Sequence, residues 1–181
     1  MQKLKKQFNE YWIENLKEKE VAKKFLEFLE KNWEKWFFRE NLEGHFTWSI
    51  IVVNEDITKT LLMHHKKLNK WLNFWGHADW DIDLENVAIR ELSEEAGIFV
   101  QKKDLLKDFI DLQIQTIPER KNEPEHFHYD VRYVIKVPEN IDFKLQEKEV
   151  NDIKWFSIKD LKEKNISPWV LKVVEKLQKK L

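Results

Sequence analysis

Glu91, Glu94 and Glu95 stand three and four positions apart in the stretch RELSEEAG. On a helix turning about 100° per residue, that spacing gathers three carboxylates into an arc of about 100°. Like charges held so close repel by roughly a few tenths of a kcal/mol per pair even in solvent. A hard divalent cation reverses the penalty, because Mg²⁺ or Mn²⁺ takes carboxylate and water oxygens and leaves positions open for phosphate oxygens. Arg90 is spaced to pair with Glu94 at i+4 and fix its rotamer. The competing reading is a solvated acidic face, ordinary in a chain that is 36% charged. With no cysteine present, a thiolate nucleophile, a disulfide or a cysteine-ligated zinc is excluded.

The elements that would position these groups can be read from pattern. Leu84, Ala88, Leu92 and Ala96 form an apolar stripe beside the glutamates, and Gly97 follows in the place of a left-handed helix cap, predicting a helix over 84–96. Ahead of it, 47–54 and 59–65 are β-rich runs separated by the turn-like NEDIT, which predicts a hairpin. The segment 73–83 reads as a loop. Residues 1 to about 38 carry apolar side chains at helical spacing, first Leu4, Phe8, Tyr11, Trp12 and Leu16, then Phe25, Leu26, Leu29, Trp33 and Trp36. Strands are expected at 109–117, 128–137 and 152–156. Ser167-Pro168 opens a last helix whose stripe is Val170, Leu171, Val174, Leu177 and Leu181. This order predicts an α/β fold, a mixed sheet flanked by helices.

A wider pattern surrounds the glutamates. Gly76, then Ile82, then Arg90-Glu91-Leu92-Ser93-Glu94-Glu95-Ala96-Gly97-Ile98 resembles the Nudix box, G-x5-E-x7-R-E-U-x-E-E-x-G-U, with Ile82 in place of its first glutamate. GHFTWSIIVVN, HHKKLNKWL, HFHYDVRYVIKV and EVNDIKWFSIKDL extend the resemblance from about Gly44 to Leu161, toward a bacterial Nudix hydrolase branch marked by a G-G-H-A-D-G-D loop. In that branch the first glutamate is usually missing and aspartates stand nearby, as Asp79, Asp81 and Asp83 do here. The resemblance implies a Nudix-like α/β/α sandwich over 41–181 behind an N-terminal helical extension over 1–40. It also implies a Mg²⁺- or Mn²⁺-dependent attack of water on a diphosphate, with a small-molecule nucleoside diphosphate derivative as substrate. Carried over by position, Glu91, Glu94 and Glu95 would bind metal and Arg90 would orient a glutamate. The catalytic base would be a box glutamate or one from the loop before the last strand, where Glu147 and Glu149 lie, Glu149 being the candidate there.

Substrate contacts are expected from Gly76 and His77 in the loop, from Lys66 beside His64 and His65, and from His128 and Arg132. In His126–Tyr133 the odd positions are apolar and read as core, whereas the even positions line up two histidines, Asp130 and Arg132. That polar face reads either as a phosphate- or base-reading wall or as the wet side of an edge strand. A structural zinc site built from these histidines has no spacing signature.

Composition adds one anomaly. Average usage of roughly 7% glycine would give about a dozen, whereas the chain has Gly 3 and Trp 9. Trp48, Trp75 and Trp80 stand where the resembling branch carries glycine or another small residue. One reading is that UGA codons decoded as glycine in the source are written here as tryptophan, leaving Trp71 and Trp155 as true tryptophans and Trp33, Trp36 and Trp169 undecided. The other is that the indoles are real and stack on a base or pack as core.

A net charge of −1 gives no global attraction to nucleic acid or to an anionic membrane, and no signal-peptide-like or membrane-length apolar run occurs. A cytoplasmic protein without a membrane or nucleic-acid partner is expected, its oligomeric state open. Two other readings accompany hydrolysis: a Nudix-fold module that senses a nucleotide without cleaving it, and an isopentenyl-diphosphate isomerase. The isomerase chemistry resembles a cysteine-plus-glutamate pair, which this chain lacks.

Overall fold

The computed structural model describes residues 2–32, 35–106, 109–120, 123–145, 148 and 150–180. Four helices, α1 (Gln2–Glu14), α2 (Lys19–Lys31), α3 (Leu84–Ala96) and α4 (Pro168–Lys180), accompany seven strands: β1 (Gly44–Asn54), β2 (Lys59–His65), β3 (Lys70–Leu72), β4 (Phe74–His77), β5 (Asp111–Ile117), β6 (His126–Val137) and β7 (Val150–Ser157). The strands form a mixed sheet with the path β3-β2-β1-β6-β5, to which β4 adds on β1 and β7 on β2. This is the α/β class expected from the sequence. No helix among the described residues is long and apolar enough to cross a membrane.

Two compact units divide the chain: 1–48, 77–84 and 112–131 form the first, and 49–76, 85–111 and 132–181 form the second. Aromatic packing builds the first unit's core. Phe8 of α1 and Phe25 of α2 meet edge to face at 5.4 Å, Phe46 of β1 lies 5.6 Å from Phe25, and Phe28 stacks on Tyr129 of β6 at 3.9 Å. Each buried phenylalanine contributes about 1.5–3 kcal/mol. The helical preface is shorter than its periodicity predicts, since α2 stops at Lys31 and Trp36 sits in a turn. Trp36 is nevertheless core, because its ring packs edge-on to Phe46 at 4.9 Å and its carbonyl accepts the Phe46 N–H at 2.6 Å. Burial alone cannot tell a helix from a turn that folds back on the core. Trp33 lies outside the described residues.

The second unit carries the expected hairpin, with β1 and β2 antiparallel and Val52 opposite Leu61. Its turn is set by side chains: the Asn54 carboxamide oxygen accepts the N–H groups of Thr58 at 2.9 Å and Lys59 at 2.8 Å. On the other edge of β2, strand β7 pairs antiparallel from Lys59 opposite Ser157 to His65 opposite Val150. Helix α4 begins at Pro168, whose missing N–H costs nothing at a first helical position, and buries Val170, Val173, Val174 and Leu177. Val173 thus takes the place in the stripe expected of Leu171, the i, i+3, i+4, i+7 set being the buried one. These side chains pack with Ile51, Val53, Leu62 and Val134 in one apolar cluster.

The span 73–83 is not wholly loop, since β4 occupies its beginning. Four residues ending in glycine and histidine carry no usable periodicity. Helix α3 matches its prediction end to end. Gly97 closes it at φ +65°, and a Cβ there would lie 3.1 Å from Lys144 Cβ, beside the Lys144 N–H that donates to the Ala96 carbonyl at 2.7 Å. Gly97→Ala is expected to cost about 1–2 kcal/mol for the left-handed backbone and more for that crowding. Urea denaturation measures it; a loss under a few tenths would refute the cap's role.

Candidate functional site

In the second unit, α3 presents its glutamates at graded depth. Leu84, Val87, Ala88, Leu92 and Ala96 are buried on one side. At the border of that stripe Glu91 and Glu95 are half-buried, and Glu94 is exposed. Arg90 Nη2 donates to Glu91 Oε1 at 3.0 Å, not to Glu94 as spacing suggested. Glu94 therefore keeps its carboxylate unengaged by any described residue. Glu85, in the first turn of the helix, is buried and faces Lys102 Nζ at 3.4 Å. Three carboxylates at i, i+3 and i+4 of one helix offer oxygen donors of the kind Mg²⁺ or Mn²⁺ takes.

The first unit gathers imidazoles. His45 at the start of β1, His77 at the end of β4 and His128 on β6 place a ligand atom each within 4.8 Å of one another. His126 joins them, its Nε2 lying 3.2 Å from His128 Nε2 and its Nδ1 2.9 Å from the Pro124 carbonyl. His45 is wholly buried, and neither of its ring nitrogens has a hydrogen-bond partner of ordinary geometry. Burial first, and then the neighbouring imidazoles, push His45 down to about 4 and His128 down to about 3. Both rings are neutral at pH 7. His77 is also lowered, by burial and by the charge of Arg39, against the opposite pull of Asp79 and Glu123.

Beside this group Arg39 and Asp79 form a two-point ion pair, Nε to Oδ1 at 2.9 Å and Nη2 to Oδ2. The pairing holds Asp79 below its ordinary range although burial works the other way. Sequence reasoning missed it, since forty positions separate the partners.

The polar face of β6 is buried, and β6 runs between β1 and β5, so it is not the wet side of an edge strand. Phe127, expected in the core, is 41% exposed, whereas His126, His128, Asp130 and Arg132 are buried. Each has a partner inside. Asp130 Oδ1 accepts the Thr47 hydroxyl at 3.1 Å, and Arg132 Nη1 donates to Asp111 Oδ2 at 3.2 Å. Lys172 and Lys176 of α4 add to Asp111 at 3.2 and 3.0 Å.

Of the residues expected to touch substrate, His77 and His128 come together in the imidazole group, and Arg132 sits on Asp111. Lys66 is exposed in the β2–β3 turn, and Gly76 is half-buried on β4. His64 contacts Asn151 at 3.1 Å, and His65 Nδ1 accepts the Leu68 N–H at 3.3 Å. Glu147 and Glu149 lie outside the described residues.

Comparison with known proteins decides the family. A family model described as NUDIX domain matches residues 44–177. The chain belongs to the Nudix family. It is 33% identical over 110 residues to a Lactococcus lactis subsp. cremoris protein described as a probable DHNTP pyrophosphohydrolase, the match covering 60% of each chain. The chain thus spans about 60% of that relative's length. A solved Nudix-family hydrolase from Clostridium perfringens is 26% identical, with a TM-score of 0.55 over 76% of this chain and 98% of that one. The E. coli dihydroneopterin triphosphate pyrophosphohydrolase, 13% identical, shares the fold with a TM-score of 0.56 over 75% of this chain and 96% of that one.

Within the Nudix box, Ile82 stands 55% exposed at the position of the first glutamate. Just before it the backbone takes positive φ at two consecutive non-glycine residues, Asp79 at +40° and Trp80 at +83°. The Trp80 indole is 76% exposed and meets only the edge of Phe38 among the described aromatic rings, at 5.9 Å. A backbone of that sign suits glycine. Trp48 is fully buried and its Nε1 lacks a partner, but so does the buried Nε1 of Trp155, so an orphaned indole N–H does not separate a foreign tryptophan from a native one. Trp80 can be tested directly. Trp80→Gly and Trp80→Ala both remove the indole, yet only glycine relieves the backbone, so the glycine variant is expected to be more stable by about 1 kcal/mol. Equal melting temperatures would show that the loop relaxes without it.

Proposed function

We propose that this chain is a Mg²⁺- or Mn²⁺-dependent pyrophosphohydrolase that cleaves a diphosphate linkage in a nucleoside diphosphate derivative. The observation that carries the reading is the glutamate face of α3, with Glu91, Glu94 and Glu95 set between Gly76 and Gly97 in the family's own spacing. A divalent cation held there would neutralise non-bridging phosphate oxygens and lower the pKa of an attacking water. Glu94 and Glu95 supply charge to that cation, Arg90 steadies Glu91, and Glu149 is the candidate base. Lys66, which is exposed and cationic, is a candidate phosphate contact, and Gly76 and His77 are further candidates by their positions in the family pattern. The name of the Lactococcus lactis relative makes DHNTP a substrate to include beside nucleoside triphosphates and sugar- or dinucleotide-linked diphosphates.

Trp80, held at positive φ in the loop that leads to the box, favours a second reading in which the chain binds such compounds without cleaving them. Product release from a panel of these compounds separates the two. Hydrolysis that needs Mg²⁺ or Mn²⁺ and stops with EDTA supports the enzyme. Saturable binding of a compound that stays intact would replace it with the sensing module.

A further inference from the structure

The carboxylate face of α3 accounts for none of the four imidazoles gathered in the first unit. His45, His77 and His128 reach one point from the start of β1, the end of β4 and the body of β6, positions 45, 77 and 128 being far apart in the chain. Burying this much imidazole costs free energy unless the ring nitrogens are satisfied, and neither nitrogen of the fully buried His45 makes a hydrogen bond of ordinary geometry, the Asn41 backbone alone acting on the ring from nearby. Such a group calls for an occupant.

We infer that His45, His77 and His128 bind one borderline divalent cation of the Zn²⁺ class, at a site separate in chemistry from the glutamates.

The donor set decides the class. Imidazole nitrogen suits Zn²⁺ and its transition-metal neighbours, whereas Mg²⁺ and Mn²⁺ prefer the oxygens that α3 supplies. Zinc–nitrogen bonds of about 2.0–2.1 Å put tetrahedral ligand atoms about 3.3–3.5 Å apart. The three ligand atoms here lie within 4.8 Å of one another, so small ring movements close the site without moving strands. His126 is the positioning residue. The Pro124 carbonyl can only accept, so His126 Nδ1 carries the hydrogen, and its bare Nε2 faces His128 Nε2 at 3.2 Å. Partners of this kind orient ligating imidazoles in metal sites. Charge around the group is mixed: Arg39 acts on His45 and His77 against a cation but is paired with Asp79, and Glu123 acts on His77 in its favour, so the imidazole donors and not the field carry the assignment. A bound cation would tie together the segments around 45, 77 and 128, which makes the site a clamp on the first unit.

The inference does not rest on hydrolysis, and its test reads no activity. The metal-free full chain is titrated with Zn²⁺ by calorimetry and with Co²⁺ by visible absorption. One Zn²⁺ per chain is expected, with the intense d–d bands of four- or five-coordinate Co²⁺. Binding should persist when Glu91, Glu94 and Glu95 are all changed to glutamine. His77→Gln and His128→Gln should each weaken it beyond the about 10–100-fold typical of losing an outer partner. Zn²⁺ binding that disappears with the glutamates, or that survives both histidine changes, would overturn the site. Should a histidine variant fail to fold, the Co²⁺ spectrum of the unsubstituted chain still decides, since weak six-coordinate bands alone would mean that water, and not a metal, satisfies these rings.

Discussion

Glu94→Gln is expected to lower kcat by about 10²–10³-fold, the scale of removing one preorganised electrostatic group from an active site. The substitution keeps the side chain's length and its hydrogen-bonding shape and deletes only the charge. Glu94 is exposed and has no partner among the described residues, so its loss breaks no fold contact. Stability should therefore stay within about 0.5 kcal/mol of the parent, as surface changes usually do. A fall in kcat with little change in KM would show that the carboxylate acts mainly in the transition state. Glu91→Gln should be less clean, because its charge also receives Arg90 at 3.0 Å. Full activity in Glu94→Gln would remove this residue from the proposed metal set.

How much of the fold and of the candidate site is legible in the sequence depends on distance along the chain. Helix α3 is readable to the residue because stripe, glutamates and left-handed glycine fall within fourteen consecutive positions, from Leu84 to Gly97. The β1–β2 hairpin is readable for the same reason, its turn being set by Asn54 four and five residues upstream of its targets. On β6 the alternation is real and Val131 and Tyr133 are core as expected, but the polar positions are buried as well. Period-2 patterning separates two faces without saying that both are covered, and the rule that polar residues face water fails once each has a partner. Those partners, Thr47 for Asp130 and Asp111 for Arg132, lie on other elements. The imidazole group is invisible in the sequence for the same cause, since only the fold brings 45 and 77 to 126 and 128. The Arg39–Asp79 pair carries no local signal either.

Asp111→Ala should be the most destabilising single change in the second unit, at about 3–5 kcal/mol, because breaking a buried ion pair strands the remaining charge. The carboxylate is 0% exposed and receives Arg132, itself 3% exposed, together with Lys172 and Lys176. The three cations do not stand equally. Lys172 is 45% exposed and can return to water, so Lys172→Met should cost under about 1 kcal/mol. Arg132 has no such escape; its guanidinium lies 5.8 Å from the Trp169 ring, a contact that cannot replace an anion. Replacing both members by apolar groups, Asp111→Leu with Arg132→Met, should therefore recover much of the loss of Asp111→Ala, as buried pairs exchanged for packing often do. Urea denaturation of the parent and these variants tests the order. If Asp111→Ala fell within about 1 kcal/mol of the parent, the carboxylate would not be what keeps Arg132 inside, and the strand's inward polar face would need another cause.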